Sequence, residues 1–202
     1  MYFDCSQHII LENAAVRLSP MTEGDVFNLR EIALNETKLV QYSPSQIHNE
    51  ELLGSYIQTA LKDRAKGFRY AFVIFDKTKN RYAGSTSFGS IVNKDQRIEI
   101  GWTWIGKDFQ RTGLNRNMKF LMMRYVFETL QFERLEFRTD ERNEVSRKAI
   151  EKIGGKFEGV LRNHMLMPDG HRRNTHCYSV LKSEWPVLKQ TVFKTYASAP
   201  NG

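Results

Sequence analysis

Two periodicities of apolar and polar residues alternate along the chain. Where apolar residues recur at every second position, the pattern predicts strands, over residues 14–21, 69–76, 81–92, 97–105, 134–140, 156–167 and 171–181. Where they recur at every third or fourth position, it predicts helices, beginning near Thr22, over 48–64, from Leu114, over 143–154 and over 183–190. The order β-α-α-β-β-β-α-β-α-β-β predicts an α+β fold, with a mixed, mostly antiparallel central sheet of about seven strands flanked by helices.

The predicted strand RIEIGWTWI (97–105) carries two tryptophans and one acid, Glu99. Strict alternation divides the strand into two faces, with Ile98, Ile100, Trp102 and Trp104 on one and Glu99, Gly101, Thr103 and Ile105 on the other. We therefore expect Trp102 and Trp104 in the core rather than at a binding surface.

No internal repeat, low-complexity tract or Pro/Gly/Ser-rich linker divides the 202 residues, so we expect a single domain over 1–190. Residues 191–202 are expected to form a disordered tail. The longest apolar run, at 70–75, is too short to span a bilayer, and no secretory signal is evident. Cys5 and Cys177 lack metal-ligand spacing and are interpreted as reduced thiols of a cytoplasmic protein.

The chain is basic, with 30 Lys and Arg against 23 Asp and Glu and a formal net charge of +7. Such a balance suits a polyanionic partner, for example nucleic acid, a phosphorylated cofactor or an acidic surface. Neither the RNP pattern nor zinc-finger spacing of common nucleic-acid modules is present.

The segment QRTGLN (110–115) lies between a predicted strand and the clearest predicted helix. A helix that begins at Gly113 or Leu114 presents unpaired backbone N–H groups and the positive end of its dipole. Gly113 would let a ligand approach the backbone closely, and Arg111 and Arg116 add positive charge. These features favour a phosphate or pyrophosphate site, whereas a simple turn before a helix is the alternative. The segment is neither a P-loop nor the GxGxxG of dinucleotide-binding folds.

Several motifs, in order, resemble the GNAT superfamily of acyl-CoA-dependent N-acyltransferases over about residues 14–185. EIGWTWI followed by QRTGLN is similar to the family's cofactor-binding region, whose pattern is Q/R-x-x-G-x-G/A; Gln110 and Gly113 match, and Asn115 replaces the final small residue. VRLSPMTEGDVFNL resembles the first strand and helix of the RimJ/RimL-like branch, which includes enzymes that acetylate the N-termini of ribosomal proteins. FRTDERNEVSRKAIEKIGG resembles that branch's N-x-x-S-x-x-A-I-x-K-x-G signature.

The resemblance implies the GNAT fold and acetyl-CoA as co-substrate, with no metal. It implies that the CoA diphosphate binds at residues 111–116 and that the pantetheine arm lies beside the strand ending at 104–105. The residues implied in cofactor binding are Trp104, Ile105, Gln110, Arg111, Thr112, Gly113, Leu114, Asn115, Arg116, Asn143 and Ser146. Acetyl-CoA also accounts for the positive charge, so nucleic acid is expected only indirectly, through a ribosome.

Acetyl transfer requires that the amine lose a proton and that the departing thiolate be tolerated or protonated. Glu99 is the candidate base, and the alternative is a solvated strand residue. Asn143 matches the family's pantetheine-contacting asparagine, and Ser146 would lie near the thioester sulfur; helix capping is the competing explanation for both. Many family members carry a tyrosine acid seven residues beyond that asparagine, where this chain has Ile150. Protonation of the thiolate is therefore assigned to Ser146 or to water.

No motif identifies the acceptor. The loops at 35–50 and 160–175 are expected to form its site, and His164, His171 and His176 are interpreted either as acceptor-site residues or as exposed strand residues. The leading hypothesis is an acetyl-CoA-dependent N-acetyltransferase in which a primary amine, of a protein N-terminus or a small molecule, attacks directly in a ternary complex. The alternative is a non-catalytic acyl-CoA-binding protein, or an RNA- or ribosome-associated one, that retains the fold. No membrane association is expected, and a homodimer is compatible with the family.

Overall fold

One mixed β-sheet runs through the structure, a computed structural model that describes residues 2–197. Within that range the sheet has eight strands in the order β1-β2-β3-β4-β5-β6-β8-β7. The strands are β1 (Leu11–Glu12), β2 (Val16–Pro20), β3 (Arg69–Asp76), β4 (Arg81–Val92), β5 (Arg97–Ile105), β6 (Arg134–Asp140), β7 (Lys156–Leu166) and β8 (Arg172–Leu181). The helices are α1 (Asp25–Asn35), α2 (Glu50–Ala65), α3 (Leu114–Arg124, continued by a π-helical turn at Tyr125–Thr129), α4 (Glu144–Glu151), α5 (Trp185–Gln190) and α6 (Lys194–Ala197).

Helices cover both faces of the sheet. On one face, Tyr56 of α2 forms a hydrogen bond with Ser85 of β4, with 3.2 Å between the hydroxyl oxygens. On the other face, the hydroxyl of the next residue, Thr86, contacts the sulfur of Met122 in α3 at 3.7 Å. Because successive residues of a strand point to opposite sides, these two contacts identify an α2 face and an α3 face.

Strands β5 and β6 separate soon after they meet. They form the parallel pair of the sheet, and their pairing is confined to residues 97–99 opposite 134–136. Beyond that point β5 stays paired with β4 as far as Ile105, on its other side. We call the gap between residues 100–105 of β5 and 137–140 of β6 the cleft. Since α3 follows β5 and α4 follows β6, both helices begin at the open end of the cleft.

A β-bulge interrupts β5 at Trp102 and Thr103. The register with β4 shifts there, so that these two residues lie opposite Thr86 alone. Trp102 takes a left-handed backbone conformation, with a φ of 50°. Gly89 permits the bulge, because a Cβ atom at that position would lie 2.3 Å from the Trp102 ring.

The bulge places both tryptophans of β5 on the face opposite to the predicted one. Trp104 packs edge-on against Tyr56 of α2, with 6.2 Å between ring centroids, and therefore shares the α2 face with Glu99. The Trp102 ring also lies on this face, over the guanidinium of Arg69 at 4.9 Å. Strict alternation was the wrong prediction here, because an extra residue shifts the phase of every later side chain. Trp104 is buried in the core as expected, whereas Trp102 is half-buried.

Two smaller features differ from the sequence pattern. The sheet has eight strands rather than about seven, since β1 is only two residues long and too short to show a period. Thr22 does not cap α1, which begins at Asp25; instead its N–H and hydroxyl both donate to the Asp25 carboxylate, at 2.7 and 2.9 Å.

The chain remains packed well beyond residue 190. Phe193 is fully buried, with ring centroids 5.6 Å from Phe120 of α3 and 5.8 Å from Trp185 of α5. The prediction of disorder from residue 191 is therefore wrong as far as residue 197, because an aromatic cluster holds this segment against α3. Residues 198–202 lie outside the described part of the chain.

The role of this segment can be tested by Phe193→Ala. We expect the free energy of unfolding to fall by about 3–5 kcal/mol, the usual result of removing a buried phenylalanine side chain, measured by denaturant titration. Val187→Ala is the matched control: Val187 is 63% exposed, so its truncation should change stability by less than about 0.5 kcal/mol. A loss below about 1 kcal/mol for Phe193→Ala would mean that the segment is not part of the folded domain.

Candidate active site

The N-terminus of α3 presents free main-chain donors to open space. Gly113 is its N-cap, with a left-handed φ of 91°, and an added Cβ atom there would have Tyr196 Oη, at 3.9 Å, as its nearest neighbour. The first regular hydrogen bond of the helix runs from Asn117 N–H to Gly113 O. Leu114 N–H donates to Thr112 Oγ1 at 3.4 Å, whereas the N–H groups of Asn115 and Arg116 have no acceptor within residues 2–197 and remain available to an anion. Gly113→Ala is not a clean probe, because the positive φ disfavours any side chain.

The side chains of the preceding loop divide into two groups. Gln110 donates to the carbonyl of Ile105 at 2.8 Å, and Thr112 donates to the carbonyl of Phe109 at 2.8 Å. These two side chains hold the shape of the loop. Arg111 and Arg116 are exposed and have no ion-pair partner within residues 2–197. Main-chain N–H groups and two exposed arginines thus belong to the same short segment, 111–116, and the anion site there stays a prediction.

Asn115 has an unsatisfied polar atom at the same place. Its Oδ1 is buried and accepts no hydrogen bond within the described residues. An unpaired buried acceptor costs on the order of 1–3 kcal/mol, so this oxygen marks a position where a ligand donor would be stabilised. Leu114, by contrast, points its side chain into the core and can contribute only its backbone.

The cleft side of β5 is a free strand edge. Residues 101–105 have no β6 partner, and the Trp104 side chain is buried on the α2 face, so the main chain of β5 faces the cleft. An extended ligand that carries amide groups can pair with such an edge as an added strand.

The start of α4 forms the other wall of the cleft opening. Asn143 Oδ1 accepts from the N–H of Ser146 at 3.0 Å, so Asn143 is the N-cap of α4 and the competing explanation from the sequence holds for it. Its contact with a ligand stays a prediction. Ser146 is half-buried in the first turn, and Ile150, at the expected tyrosine position, is buried.

Glu99 lies at the closed end of the cleft, as the last β5 residue that pairs with β6. It is only 7% exposed, accepts from the Ser90 hydroxyl at 3.0 Å and lies 3.7 Å from Arg138 Nε. Burial raises the pKa of the Glu99 carboxyl above its usual value, although Arg138 and Ser90 oppose the shift. Glu99 is therefore not a solvated strand residue, and a carboxylate with a raised pKa is a stronger proton acceptor.

Sequence reasoning missed the cations around Glu99. Arg138 bridges Glu99 and Glu136, the latter at 3.2 Å, and Arg173 is 7% exposed with an Nε that has no partner within residues 2–197. Alternation in RLEFRTD puts Glu136 and Arg138 on one face, but only the pairing of β5 with β6 brings that face to Glu99.

The sequence analysis also missed Lys119. It is 7% exposed on the cleft side of α3, and its Nζ donates to Thr103 Oγ1 at 3.0 Å and lies 5.9 Å from the centroid of the Phe137 ring. Burial lowers the pKa of Lys119 to about 7. No carboxylate within residues 2–197 forms an ion pair with it. The sequence signal was a lysine within the apolar stripe of α3.

The two predicted acceptor loops lie next to each other. Residues of both loops line one cavity of about 290 Å³: Thr37, Gln41, Gln46, His48, Pro168 and Asp169. Arg142 connects this region to the sheet, because it pairs with Asp140 at 2.8 Å and with Asp169 at 3.1 Å.

The three histidines do not form one group. His164 bonds Thr175 on the α2 face, whereas His176 stacks on Phe157 on the other face. No group of three or more His, Cys, Asp or Glu side chains in residues 2–197 is placed to hold a metal ion. In the same part of the chain, no helix is both long and apolar enough to cross a membrane.

Comparison with known proteins identifies the family. A family model described as an acetyltransferase (GNAT) domain matches residues 15–156. The chain belongs to the GNAT acetyltransferase family. The crystal structure of a GCN5-related N-acetyltransferase from Brucella melitensis superposes with a TM-score of 0.87 at 28% identity, over 95% of this chain and 87% of that one.

Two relatives from Bacillus subtilis (strain 168) carry N-acetyltransferase names. The uncharacterised N-acetyltransferase YoaA is 27% identical over 175 residues, which are 86% of this chain and 97% of YoaA. YdaF, whose name describes it provisionally as a ribosomal N-acetyltransferase, is 31% identical over 102 residues, which are 50% of this chain and 55% of YdaF. The predicted family and fold are confirmed, and the name of YdaF supports the RimJ/RimL-like branch. GNAT acetyltransferases use acetyl-CoA and an acceptor amine.

For this GNAT acetyltransferase, Lys119→Met gives a test of the buried amine. Between about pH 7 and about pH 10.5 the unfolded chain binds a proton at Lys119 that the folded chain has lost, so the stability of the wild type rises with pH across this window. The methionine variant lacks that dependence and the penalty for a buried charge. Its Tm should exceed that of the wild type near about pH 6, and the difference should shrink toward about pH 10. A difference in Tm that is constant across this range would contradict the lowered pKa.

Proposed function

We propose that this acetyltransferase moves the acetyl group of acetyl-CoA to a primary amine, by direct attack of the amine in a ternary complex. The observation that carries the proposal is the cleft between β5 and β6. Its open end lies between two helix N-termini, and its closed end has a buried carboxylate, Glu99.

The α3 end of the cleft suits the phosphorylated part of CoA. The free N–H groups of Asn115 and Arg116, with the guanidinium groups of Arg111 and Arg116, would hold the diphosphate. The unsatisfied Asn115 Oδ1 would accept from a ligand donor. The free edge of β5 at 101–105 would pair with the amides of the pantetheine arm. This direction leads the arm from α3 toward Glu99.

Glu99 would accept the proton of the acceptor amine, directly or through a water molecule. An amine with a pKa near 10 is almost wholly protonated at neutral pH and must lose a proton to attack. The raised pKa of the Glu99 carboxyl favours this role, and Arg138 would stabilise the carboxylate between turnovers.

The acceptor would reach Glu99 from the α2 face, past the cavity between the two loops. Five of the six residues that line the cavity have polar side chains, and the acid Asp169 among them would pair with a cationic amine. The name of YdaF adds support for a ribosomal acceptor. A screen of acetyl-CoA turnover against N-terminal peptides and small amines tests the function. Retention of CoA without transfer to any amine would favour a non-catalytic acyl-CoA-binding protein.

Arg111→Gln tests the diphosphate site. The substitution removes one full charge from an exposed loop, so the fold should be kept while the affinity for CoA falls by about tenfold at low salt and by less at high salt. Arg30→Gln is the matched control, because it makes the same charge change on the exposed surface of α1. Equal CoA affinities of the two variants, measured by calorimetry, would exclude Arg111 from the site.

Glu99→Gln tests the base. The amide keeps the shape and strand pairing of Glu99 but cannot accept the proton, so kcat/KM at neutral pH should fall by a factor on the order of 10²–10⁴. Activity should recover partly at high pH, where free amine is abundant, and CoA affinity should be unchanged. A variant within about threefold of wild type at every pH, with chemistry rate-limiting, would assign Glu99 a structural role.

A further inference from the structure

Lys119 and Asn115 form a polar strip on α3, of which the proposed function uses only Asn115. They are four residues apart and so share one side of the helix, the side turned toward the cleft. Asn115 Oδ1 has no partner within residues 2–197, and the Lys119 ammonium has a single hydrogen-bond acceptor, Thr103, for its three donors. Both residues therefore have unused hydrogen-bonding capacity at a buried place.

We propose that Lys119 is the residue that protonates the sulfur of CoA as the thioester breaks. The inference rests on the proposed function. In this step the bond between the acyl carbon and sulfur breaks, its electron pair passes to sulfur, and a proton leaves the Lys119 ammonium to form the S–H bond. Lys119 is left as a neutral amine and regains a proton from solvent when the products leave.

The position of Lys119 along the cleft suits this role. It follows Gly113 by six residues, which places it about 9 Å farther along the helix axis from the diphosphate site. Its Nζ contacts Thr103, midway between the open end at Ile105 and the closed end at Glu99. Phe137, its other neighbour, is the first β6 residue past the last paired residue. The ammonium thus lies near the closed end, where the reacting carbon must be for Glu99 to act.

Lys119 and Glu99 also lie on opposite sides of the sheet. Glu99 belongs to the α2 face, from which the acceptor would approach, whereas Thr103 and Lys119 belong to the α3 face. An amine that attacks from one side and a thiolate that departs toward the other would each meet one proton-transfer group. The α4 positions offer no comparable group, since Ile150 is apolar and Ser146 carries a hydroxyl, a much weaker acid than an ammonium.

The surroundings keep Lys119 able to give up its proton. The elements packed around its Nζ present Thr103 from β5, Thr86 bonded to it from β4, and Phe137 from β6, none of which titrates near neutrality. Burial is the cause of the lowered pKa, about 7, and no charged side chain contributes to the shift. An acid of this strength can transfer its proton to a thiolate whose conjugate acid has a pKa near 8.5.

The decisive readout does not require a known acceptor. We would measure the pKa of the thiol of CoA bound to the wild type, Lys119→Met and Lys119→Arg, from the pH dependence of thiolate absorbance. A cation within about 4–6 Å lowers such a pKa, but Lys119 itself loses its proton near about pH 7, before most of the thiol titrates. The permanent charge of Lys119→Arg therefore reports proximity: the bound thiol should titrate at least about one unit lower in Lys119→Arg than in Lys119→Met, with the wild type between them. Lys94→Met, on the exposed turn after β4, is the matched control and should behave as the wild type.

Measurements of kcat then distinguish proton donation by Lys119 from the effect of its positive charge alone. With an amine found in the acceptor screen, kcat of Lys119→Met should fall by about 10²-fold. The kcat of the wild type should decrease with rising pH as Lys119 loses its proton, and the kcat of Lys119→Met should lack this decrease. Lys119→Arg keeps the charge but cannot release a proton, so it should lower the bound thiol pKa without restoring kcat.

Three results would overturn the inference. They are equal thiol pKa values for Lys119→Arg and Lys119→Met when both bind CoA and remain folded, full activity of Lys119→Met, and full rescue by arginine. Each leaves the proposed function intact if the wild type still binds CoA and transfers acetyl groups. Failure of the wild type to bind CoA would instead overturn the proposed function and the inference with it.

Discussion

The separation of β5 from β6 after Glu99 and Glu136 is the constraint on which the rest of the structure depends. Two adjacent parallel strands would normally stay paired, and leaving their inner edges free gives up hydrogen bonds that buried backbone groups need. The bulge at Trp102 and Thr103 turns β5 away at this point. Without it, β5 would present no free edge and the start of α3 no ligand-sized space beside the sheet.

The bulge is held by a cluster on the α2 face. Trp102 lies over Gly89 and against the Arg69 guanidinium, which is 1% exposed and donates to Tyr56 at 2.7 Å and to Ser87 at 2.8 Å. A buried arginine stacked between two aromatic rings is stabilised by cation–π attraction rather than by a carboxylate. This packing compensates for the strained, left-handed backbone of Trp102.

Buried ionisable side chains lie near the closed end of the cleft. Burying their charge destabilises the fold but adjusts their pKa values toward those needed for proton transfer. Glu99 is buried against Arg138, and on the opposite face Lys119 is buried without a counter-ion in the described part of the chain. Burying charge in this way disfavours the charged form, which raises the pKa of an acid and lowers that of a lysine. Opposite shifts in a neighbouring acid and base are typical of sites that transfer protons at neutral pH.

Much of this architecture was readable in the sequence. Long, regular periods predict the element order, which the structure confirms, because they depend on local spacing. The QRTGLN segment predicts the start of α3 for the same reason, and the anion site there stays a prediction. Features that depend on packing were not readable. The faces of Trp102 and Trp104 follow from a bulge that Gly89 permits from another strand, and the order at Phe193 follows from aromatic partners in α3 and α5. The role of Lys119 could not be predicted for a different reason. The sequence shows a lysine in an apolar stripe of α3, but only the structure shows that this stripe lies beside the cleft.

The central claim is that the free edge of β5 receives the acyl-carrying arm of CoA, and amide hydrogen exchange with and without CoA tests it most directly. We expect CoA to slow exchange of the cleft-facing amides within residues 101–105 and at the start of α3, while residues 72–74 of β3, which are paired on both sides, remain unchanged. Tight binding of CoA with no added protection at 101–105 would contradict the account, because the arm would then lie elsewhere.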